Sequence, residues 1–96
     1  MLNNKQKQFL KSLGNPLRPL FQLGKEGLSF NFIDSLKDSL KAHELVKISV
    51  LKSCDVDVKE LSLDIVAQAK CDLVQIIGRT ILVYKPSEKH LIELPK

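Results

Sequence analysis

A strand, a loop framed by glycines and the start of a helix follow one another in the segment Leu20-Phe21-Gln22-Leu23-Gly24-Lys25-Glu26-Gly27-Leu28-Ser29. Gly24 and Gly27 predict a tight bend, because glycine adopts positive φ without strain and has no side chain to keep a ligand away. The first turn of the following helix carries N–H groups without intrahelical partners and the positive end of the helix dipole, which favours an anion. We therefore expect this segment to contact a nucleic-acid backbone.

The positive charge of the chain is concentrated in the same region. Residues 1–30 contain five basic residues and one acidic residue, whereas residues 31–96 contain ten of each, so the formal net charge of +4 belongs to the first third. The five basic residues are Lys5, Lys7, Lys11, Arg18 and Lys25. Such an asymmetry indicates where an anionic partner would bind. The alternative is a solvated, lysine-rich first helix that only keeps the protein soluble.

The remaining sequence predicts helices and strands that alternate and end in a hairpin. Apolar residues at 3.6-residue spacing indicate helices, and two-residue alternation indicates strands. The predicted elements are helix 3–13, strand 20–23, helix 30–43, strand 45–52, helix 58–70, strand 73–77 and strand 80–85. This order, α-β-α-β-α-β-β, predicts a single domain over residues 1–96 of the α/β (α+β) class. We expect a two-layer sandwich with a four-stranded mixed sheet and helices on at least one face.

Polar residues mark the predicted helix ends. Asn3 or Asn4 can cap the first helix, and Ser29 can cap the second. For the third helix, Asp57 and Glu60 have the spacing of a capping box, in which each side chain bonds the other residue's amide.

The last two strands are separated by Gly78 and Arg79, and glycine at the first central position is typical of a type II′ turn. We expect Arg79 to lie at the hairpin tip, largely free of the core, where its guanidinium can bind a phosphate through two parallel hydrogen bonds. The alternative is a solubilising turn residue. In the strand 45–52, the alternation predicts that Lys47 faces outward. Residues 91–94 predict a short extended segment whose docking the sequence leaves open.

Several functional classes find no support in the composition. No apolar run reaches the roughly 20 residues of a membrane span, and residues 1–11 contain no hydrophobic stretch of signal-peptide length, so we expect a cytoplasmic protein. Cys54 and Cys71 have neither a CxxC partner nor a histidine at metal spacing and are predicted to be plain buried thiols. His43 and His90 are equally isolated. We therefore expect no catalytic residue, no metal and no cofactor.

Four ordered blocks of sequence resemble a known family. The blocks are Lys5-Gln6-Lys7-Gln8-Phe9-Leu10, Gly24-Lys25-Glu26-Gly27-Leu28, Leu45-Val46-Lys47-Ile48 and Val74-Gln75-Ile76-Ile77-Gly78-Arg79-Thr80. Together they resemble the YhbY family, the single-domain bacterial form of the CRM (chloroplast RNA splicing and ribosome maturation) domain. The resemblance extends from the first lysines to Pro86. A lone GxxG would be a weak signal, but four blocks in the expected order are specific.

The resemblance implies a fold like the C-terminal domain of translation initiation factor three, RNA binding through the GxxG loop and a basic surface, and association with precursors of the large ribosomal subunit. The family's loop glycines match Gly24 and Gly27, its loop lysine matches Lys25, and its hairpin pair matches Gly78 and Arg79. Glu26 departs from the neutral or basic residue common between the glycines. Its charge would oppose a phosphate within a Debye length of roughly 8 to 10 Å, and the sequence leaves open whether it points away or weakens binding.

The favoured hypothesis is a non-enzymatic protein that binds ribosomal RNA through phosphates and assists assembly of the large subunit, with no membrane or small-molecule substrate. The expected RNA-binding residues are Lys5, Lys7, Lys11, Arg18, Gly24, Lys25, Gly27 and Arg79. Base stacking is expected to be minor, because most aromatic residues lie on predicted apolar faces. The main alternative is a protein-protein interaction module with a basic solubilising surface. An enzyme is the least favoured, because no nucleophile, metal cluster or carboxylate pair can be assembled from the predicted loops.

Overall fold

The computed structural model describes residues 2–96, and this part of the chain forms three helices and a four-stranded mixed sheet. The elements are α1 (Asn4–Gly14), β1 (Phe21–Leu23), α2 (Phe30–His43), β2 (Leu45–Val50), α3 (Val58–Ala69), β3 (Asp72–Ile77) and β4 (Thr80–Tyr84). The predicted class and the order α-β-α-β-α-β-β are confirmed.

The strand order in the sheet is β1-β2-β4-β3. β1 is parallel to β2, with Leu23 beside Val50, and α2 connects the two strands. β4 is antiparallel to both β2 and β3, and Ser49 pairs with Thr80. The carboxyl ends of β1 and β2 therefore lie at the same end of the sheet as the turn between β3 and β4.

Helices cover both faces of this sheet. On one face, α2 and α3 pack against the alternate residues Val46, Ile48, Ile81 and Val83 of the central strands. On the other face, Leu10 of α1 packs in a second cluster. The other buried members of that cluster are Leu45, Val74, Leu82 and Tyr84. The sheet was expected to have helices on at least one face, and α1 also covers the second face. Because both faces of β4 are covered, its sequence is a continuous apolar run rather than an alternating one.

The C-terminal end of α1 lies very close to the sheet. Gly14 is buried, and a Cβ atom built there would lie 2.5 Å from Leu82 Cδ2. Next to it, Lys47 Nζ donates a hydrogen bond to Asn15 O at 3.4 Å. Lys47 therefore lies, as predicted, on the face opposite Val46 and Ile48, where it is half-buried beside the end of α1.

The helix caps were predicted in part. Ser29 caps α2, since its Oγ accepts a hydrogen bond from the Phe32 amide at 3.0 Å. Asn3 caps α1 and forms a full capping box with Gln6. At α3, the Asp57 carboxylate accepts from the Glu60 amide at 3.4 Å, but the reciprocal bond of the predicted box is absent from the described residues.

A buried carboxylate fixes the C-terminal segment to the sheet. Glu44 ends α2 with a φ of 66° and is fully buried. Its Oε2 accepts hydrogen bonds from the amide and hydroxyl of Ser87, and its Oε1 accepts one from the Ile92 amide at 2.8 Å. Burial opposes ionisation of Glu44, but these bonds outweigh it and hold its pKa below the ordinary 4.5. Ile92 and Leu94 pack with α1, which settles the docking that the sequence left open.

Candidate nucleic-acid interface

Three loop segments meet at one end of the sheet, which we call the loop end: residues 24–29, residues 51–57 and the hairpin turn 78–79. The Leu51 amide donates to Leu23 O at 2.8 Å, and the Val50 amide donates to Arg79 O at 2.7 Å. A Cβ atom on Gly24 would lie 3.4 Å from Ser53 Oγ. Segments that are distant in sequence therefore form one continuous surface here.

The GxxG segment is a closed turn in which the two glycines have different roles. The Gly27 amide donates to Gly24 O at 3.0 Å, which places Lys25 and Glu26 at the exposed tip. Gly27 has a φ of +66°, and a Cβ atom there would meet nothing within 4 Å. Gly24 does not have positive φ. The expectation of positive φ at both glycines is therefore correct for Gly27 and wrong for Gly24, which lies against Ser53.

Backbone donors converge at this turn and at the start of α2. The Gly27 amide is already used within the turn. In contrast, the amides of Lys25, Glu26 and Leu28 have no acceptor among the described residues, and neither do those of Phe30 and Asn31 in the first turn of α2. These donors stand beside the positive end of the α2 dipole and the Lys25 ammonium, so the arrangement can hold an anion.

The Arg79 side chain is tied to the protein, which corrects the expectation that it is largely free. Its Nε donates to Val50 O at 2.9 Å, and its Nη2 donates to Leu51 O at 2.7 Å and to Cys54 O at 3.4 Å. Gly78 has positive φ and Arg79 does not, as a type II′ turn requires. The turn was therefore predicted, but the guanidinium fixes the segment after β2 and has only its Nη1 edge left for a ligand.

The predicted cationic residues are not all brought together. Lys25 lies on the loop end. Arg18 precedes β1 and therefore lies toward the opposite end of that strand, beside Leu17 and His43. The remaining members, Lys5, Lys7 and Lys11, are on α1, which packs on the face away from α2. The charge excess of residues 1–30 is thus spread over two faces of the sheet rather than gathered around the turn.

One aromatic residue of this surface was missed by sequence reasoning. Phe30 is the first residue of α2, and 78% of its surface is exposed beside the GxxG turn. Phe21 and Phe32 pack edge to face with ring centroids 5.4 Å apart, and Tyr84 is buried. Those three rings therefore belong to the fold, whereas the Phe30 ring is exposed to a ligand. Phe30 lies outside the buried stripe of Ile33, Leu36 and Leu40, and this position in the sequence could have indicated that its ring is exposed.

Metal-binding groups, membrane-spanning helices and reactive thiols were also sought among the described residues. Within residues 2–96, no group of three or more His, Cys, Asp or Glu residues could hold a metal ion. No helix in that range has the length and apolar character needed to cross a membrane. Cys54 and Cys71 are buried free thiols, as predicted. Burial, together with the nearby Asp72 carboxylate, raises the pKa of Cys71 to about 11, so this thiol stays protonated and unreactive at neutral pH.

Known proteins match this chain over nearly its whole length. Residues 2–85 match the CRS1 / YhbY (CRM) domain. The "Probable RNA-binding protein YqeI" of Bacillus subtilis (strain 168) is 45% identical over 96 residues, which cover 99% of this chain and 100% of the relative. An "RNA-binding protein" of Haemophilus influenzae is 40% identical over 96 residues, which cover 99% of this chain and 96% of the relative. The solution structure of the hypothetical protein SAV1595 from Staphylococcus aureus has a TM-score of 0.83 and 41% identity, with coverage of 99% and 100%.

Proposed function

Since the chain belongs to the CRS1 / YhbY (CRM) domain family, we propose that it is an RNA-binding protein without catalytic activity that holds the phosphate backbone of structured RNA at its loop end. The observation that carries this proposal is the cluster of unpaired amides at the tip of the GxxG turn and the start of α2. Relatives from two bacteria are named as RNA-binding proteins, which supports the same partner.

In the proposed complex, one phosphate accepts hydrogen bonds from the amides of Lys25 and Glu26 while the Lys25 ammonium neutralises it. A GXXG loop of a KH domain clamps about four nucleotides in a comparable way. Phe30 stacks on a base next to that phosphate, since exposed aromatic rings bind unpaired bases without strong sequence preference. Arg79 holds the segment after β2 in place, with its Nη1 edge open to a second phosphate.

The cations outside the loop end act at longer range. Lys5, Lys7, Lys11 and Arg18 add positive potential that attracts RNA and contacts it where a folded RNA wraps around α1. Such an interaction reads shape more than sequence, as is usual for structured RNA.

We further propose that the RNA partner is ribosomal RNA in precursors of the large ribosomal subunit, and that the protein assists assembly of that subunit in the cytoplasm. The family resemblance supports the partner. The two unpaired cysteines agree with a reducing compartment. Sedimentation of cell extracts on ribosome gradients tests this proposal, because the protein should migrate with large-subunit precursors and crosslink to their RNA. Migration only at the top of the gradient would contradict it.

The salt dependence of RNA binding tests the phosphate contacts. If about five phosphates are neutralised, a log-log plot of the association constant against salt concentration should have a slope of roughly −3.5 to −4.5. Each cation that is removed should reduce the slope by about one unit. A slope near zero would remove the electrostatic basis of the proposal.

The GxxG turn has its own test. Gly27→Asn keeps a residue that tolerates positive φ and adds a side chain where the space is open, so it should weaken RNA binding with little loss of stability. Gly78→Asn, at a φ of +57° with equally open surroundings, is the matched control for the effect of the substitution on stability. Unchanged RNA affinity of Gly27→Asn relative to the unmodified protein would make the GxxG turn a purely structural feature.

A protein partner is the second candidate function. A groove of about 490 Å³ lies beside β1 and is lined mainly by apolar side chains. Its lining comprises Leu13, Leu17, Arg18, Leu20, His43, Leu45, Lys47 and Ile92. Binding that survives high salt, with no RNA in the purified complex, would favour this candidate over RNA.

A further inference from the structure

A second concentration of positive charge lies at the opposite end of the sheet from the GxxG turn. A cleft of about 620 Å³ opens between α2, the end of α3 and the segment that follows β4. Its lining includes five lysines, which are Lys37, Lys41, Lys70, Lys85 and Lys89, and we call this site the lysine cleft. The GxxG turn precedes α2 and Lys41 is in its last turn, so the two sites are separated by about 17 Å of helix axis.

The lysine cleft is strongly cationic although the sequence around it is neutral on average. Residues 31–96 contain equal numbers of basic and acidic residues, yet five lysines and only one carboxylate, that of Glu88, line the cleft. The other nine acidic residues of 31–96 do not line it. Folding therefore separates charges that cancel along the chain.

Helix dipoles account for only part of this cluster. Lys41 is in the last turn of α2, and Lys70 is the C-cap of α3, where a cation is favoured by the negative end of the dipole. Lys70 also holds a left-handed conformation, with a φ of 54°, at a position where glycine or asparagine is usual. Lys37, Lys85 and Lys89 lie outside the last turns, so the dipoles do not explain their convergence.

The lining favours phosphates over a protein partner. Protein interfaces generally depend on apolar or aromatic anchors at their centre. None of the exposed large hydrophobic residues in the described chain lines the cleft. Its apolar members are Leu40 and Ala69, which are buried in the core, and the small exposed ring of Pro86. The Ser87 hydroxyl donates to Glu44 and belongs to the fold. What the cleft offers to a ligand is a set of ammonium groups, which suit successive phosphates of a nucleic-acid strand.

We propose that the lysine cleft is a second binding site for the phosphodiester backbone, so that one structured RNA contacts the protein at both ends of the sheet. This inference rests on the proposed RNA-binding function. A short single strand occupies the loop end alone, whereas a folded RNA reaches both sites. The protein then recognises the spacing of two backbone segments, which is a reading of RNA shape.

A comparison of two RNA lengths tests the inference. The probes are a single strand of about four nucleotides, the length that a GXXG loop clamps, and a stem-loop of about 16 base pairs, the span of a double-stranded RNA-binding domain. The cleft variant is Lys41→Gln with Lys89→Gln. The matched control is Lys59→Gln with Lys96→Gln, which removes the same charge from residues that do not line the cleft. Thermal melting of both variants checks that they remain folded.

The cleft variant should lower the salt slope of stem-loop binding by about two units and leave the affinity for the short strand unchanged. The control variant should leave the stem-loop slope close to that of the unmodified protein. Equal stem-loop slopes for the cleft variant and the unmodified protein, or equal losses in the cleft and control variants, would overturn the inference. Failure of the unmodified protein to bind the short strand would instead count against the loop end and hence against the proposed function.

Discussion

The two ends of the sheet are each held by one charged side chain, but they offer different groups to a ligand. At the loop end, the Arg79 guanidinium donates to three backbone carbonyls, and the groups left over are backbone amides. At the other end, the Glu44 carboxylate accepts from two amides and a hydroxyl, and the groups left over are lysine ammoniums. A charged side chain whose hydrogen bonds are satisfied by the fold therefore stabilises the structure, whereas charged groups without such partners are available to bind a ligand.

The largest effect is expected from Glu44→Gln. The glutamine side chain would place an NH₂ group against the N–H and O–H donors of Ser87 and Ile92, so at least one buried donor would lose its acceptor. The variant should therefore lose about 3 kcal/mol of unfolding free energy. Thermal melting measures this loss, with Glu88→Gln as the control, since Glu88 is an exposed carboxylate of the same segment. RNA binding at the loop end should persist below the melting temperature. Equal melting of the two variants would contradict the anchoring role of Glu44.

The pH dependence of stability provides a second check on Glu44. Its pKa in the folded state is lowered by the bonds from Ser87 and the segment at Leu91 and Ile92, in spite of burial. A carboxyl group with a lowered folded pKa stabilises the protein fully above its ordinary value of 4.5 and loses that contribution as the pH falls through the folded pKa. The unmodified protein should therefore lose more stability in acid than Glu44→Gln. Parallel acid titrations of both proteins would contradict this.

The next largest effect is expected at the loop end from Arg79→Met, which should lose about 2 kcal/mol because three carbonyls lose a charged donor. Arg79→Lys distinguishes the structural role of Arg79 from phosphate binding, since lysine keeps the positive charge but lacks the planar guanidinium that bonds several carbonyls at once. We expect it to be destabilised nearly as much as Arg79→Met in denaturant unfolding. Arg18→Met is the control, because Arg18 is an exposed arginine that lies away from the loop end. Full stability of Arg79→Lys would show that the charge matters more than the geometry.

The comparison also explains which features the sequence reveals. The strand, the GxxG turn and the start of α2 are consecutive, so their spacing alone predicts them. The support from Arg79 depends on carbonyls about thirty residues away, and the lysine cleft draws on three separate segments. Neither contact leaves a local pattern. The packing of α1 on the second sheet face was hidden for the same reason, although the unbroken apolar run of β4 was a usable sign of it.

A smaller effect is expected from Phe30→Ala, which should reduce the affinity for a short single-stranded RNA about tenfold, since stacking on one base contributes roughly 1 to 3 kcal/mol. Stability should hardly change, because 78% of the Phe30 surface is already exposed. Phe30→Tyr should keep the affinity. Leu63→Ala, at an exposed residue of α3, is the control for loss of surface apolar area. Unchanged binding by Phe30→Ala would remove the stacking contact from the loop end.

The smallest effect is expected from Glu26→Gln. Glu26 shares the exposed tip of the turn with Lys25, so removing its charge should raise RNA affinity about two- to threefold at low salt and less at high salt. Glu93→Gln, an exposed carboxylate of the C-terminal segment, should have no such effect. Fluorescence anisotropy at two salt concentrations measures both variants. Equal gains in RNA affinity for the two variants would mean that binding depends on the net charge of the protein and not on the position of Glu26.

The central claim is that backbone amides at the loop end hold the RNA, and amide chemical shifts test it most directly. Titration of the ¹⁵N-labelled protein with a short single-stranded RNA should shift the amide signals of Lys25, Glu26, Leu28, Phe30 and Asn31 the most, with the Gly27 amide less affected because it donates to Gly24 O. Shifts confined to the groove beside β1, with the signals of the GxxG turn unmoved, would contradict the account.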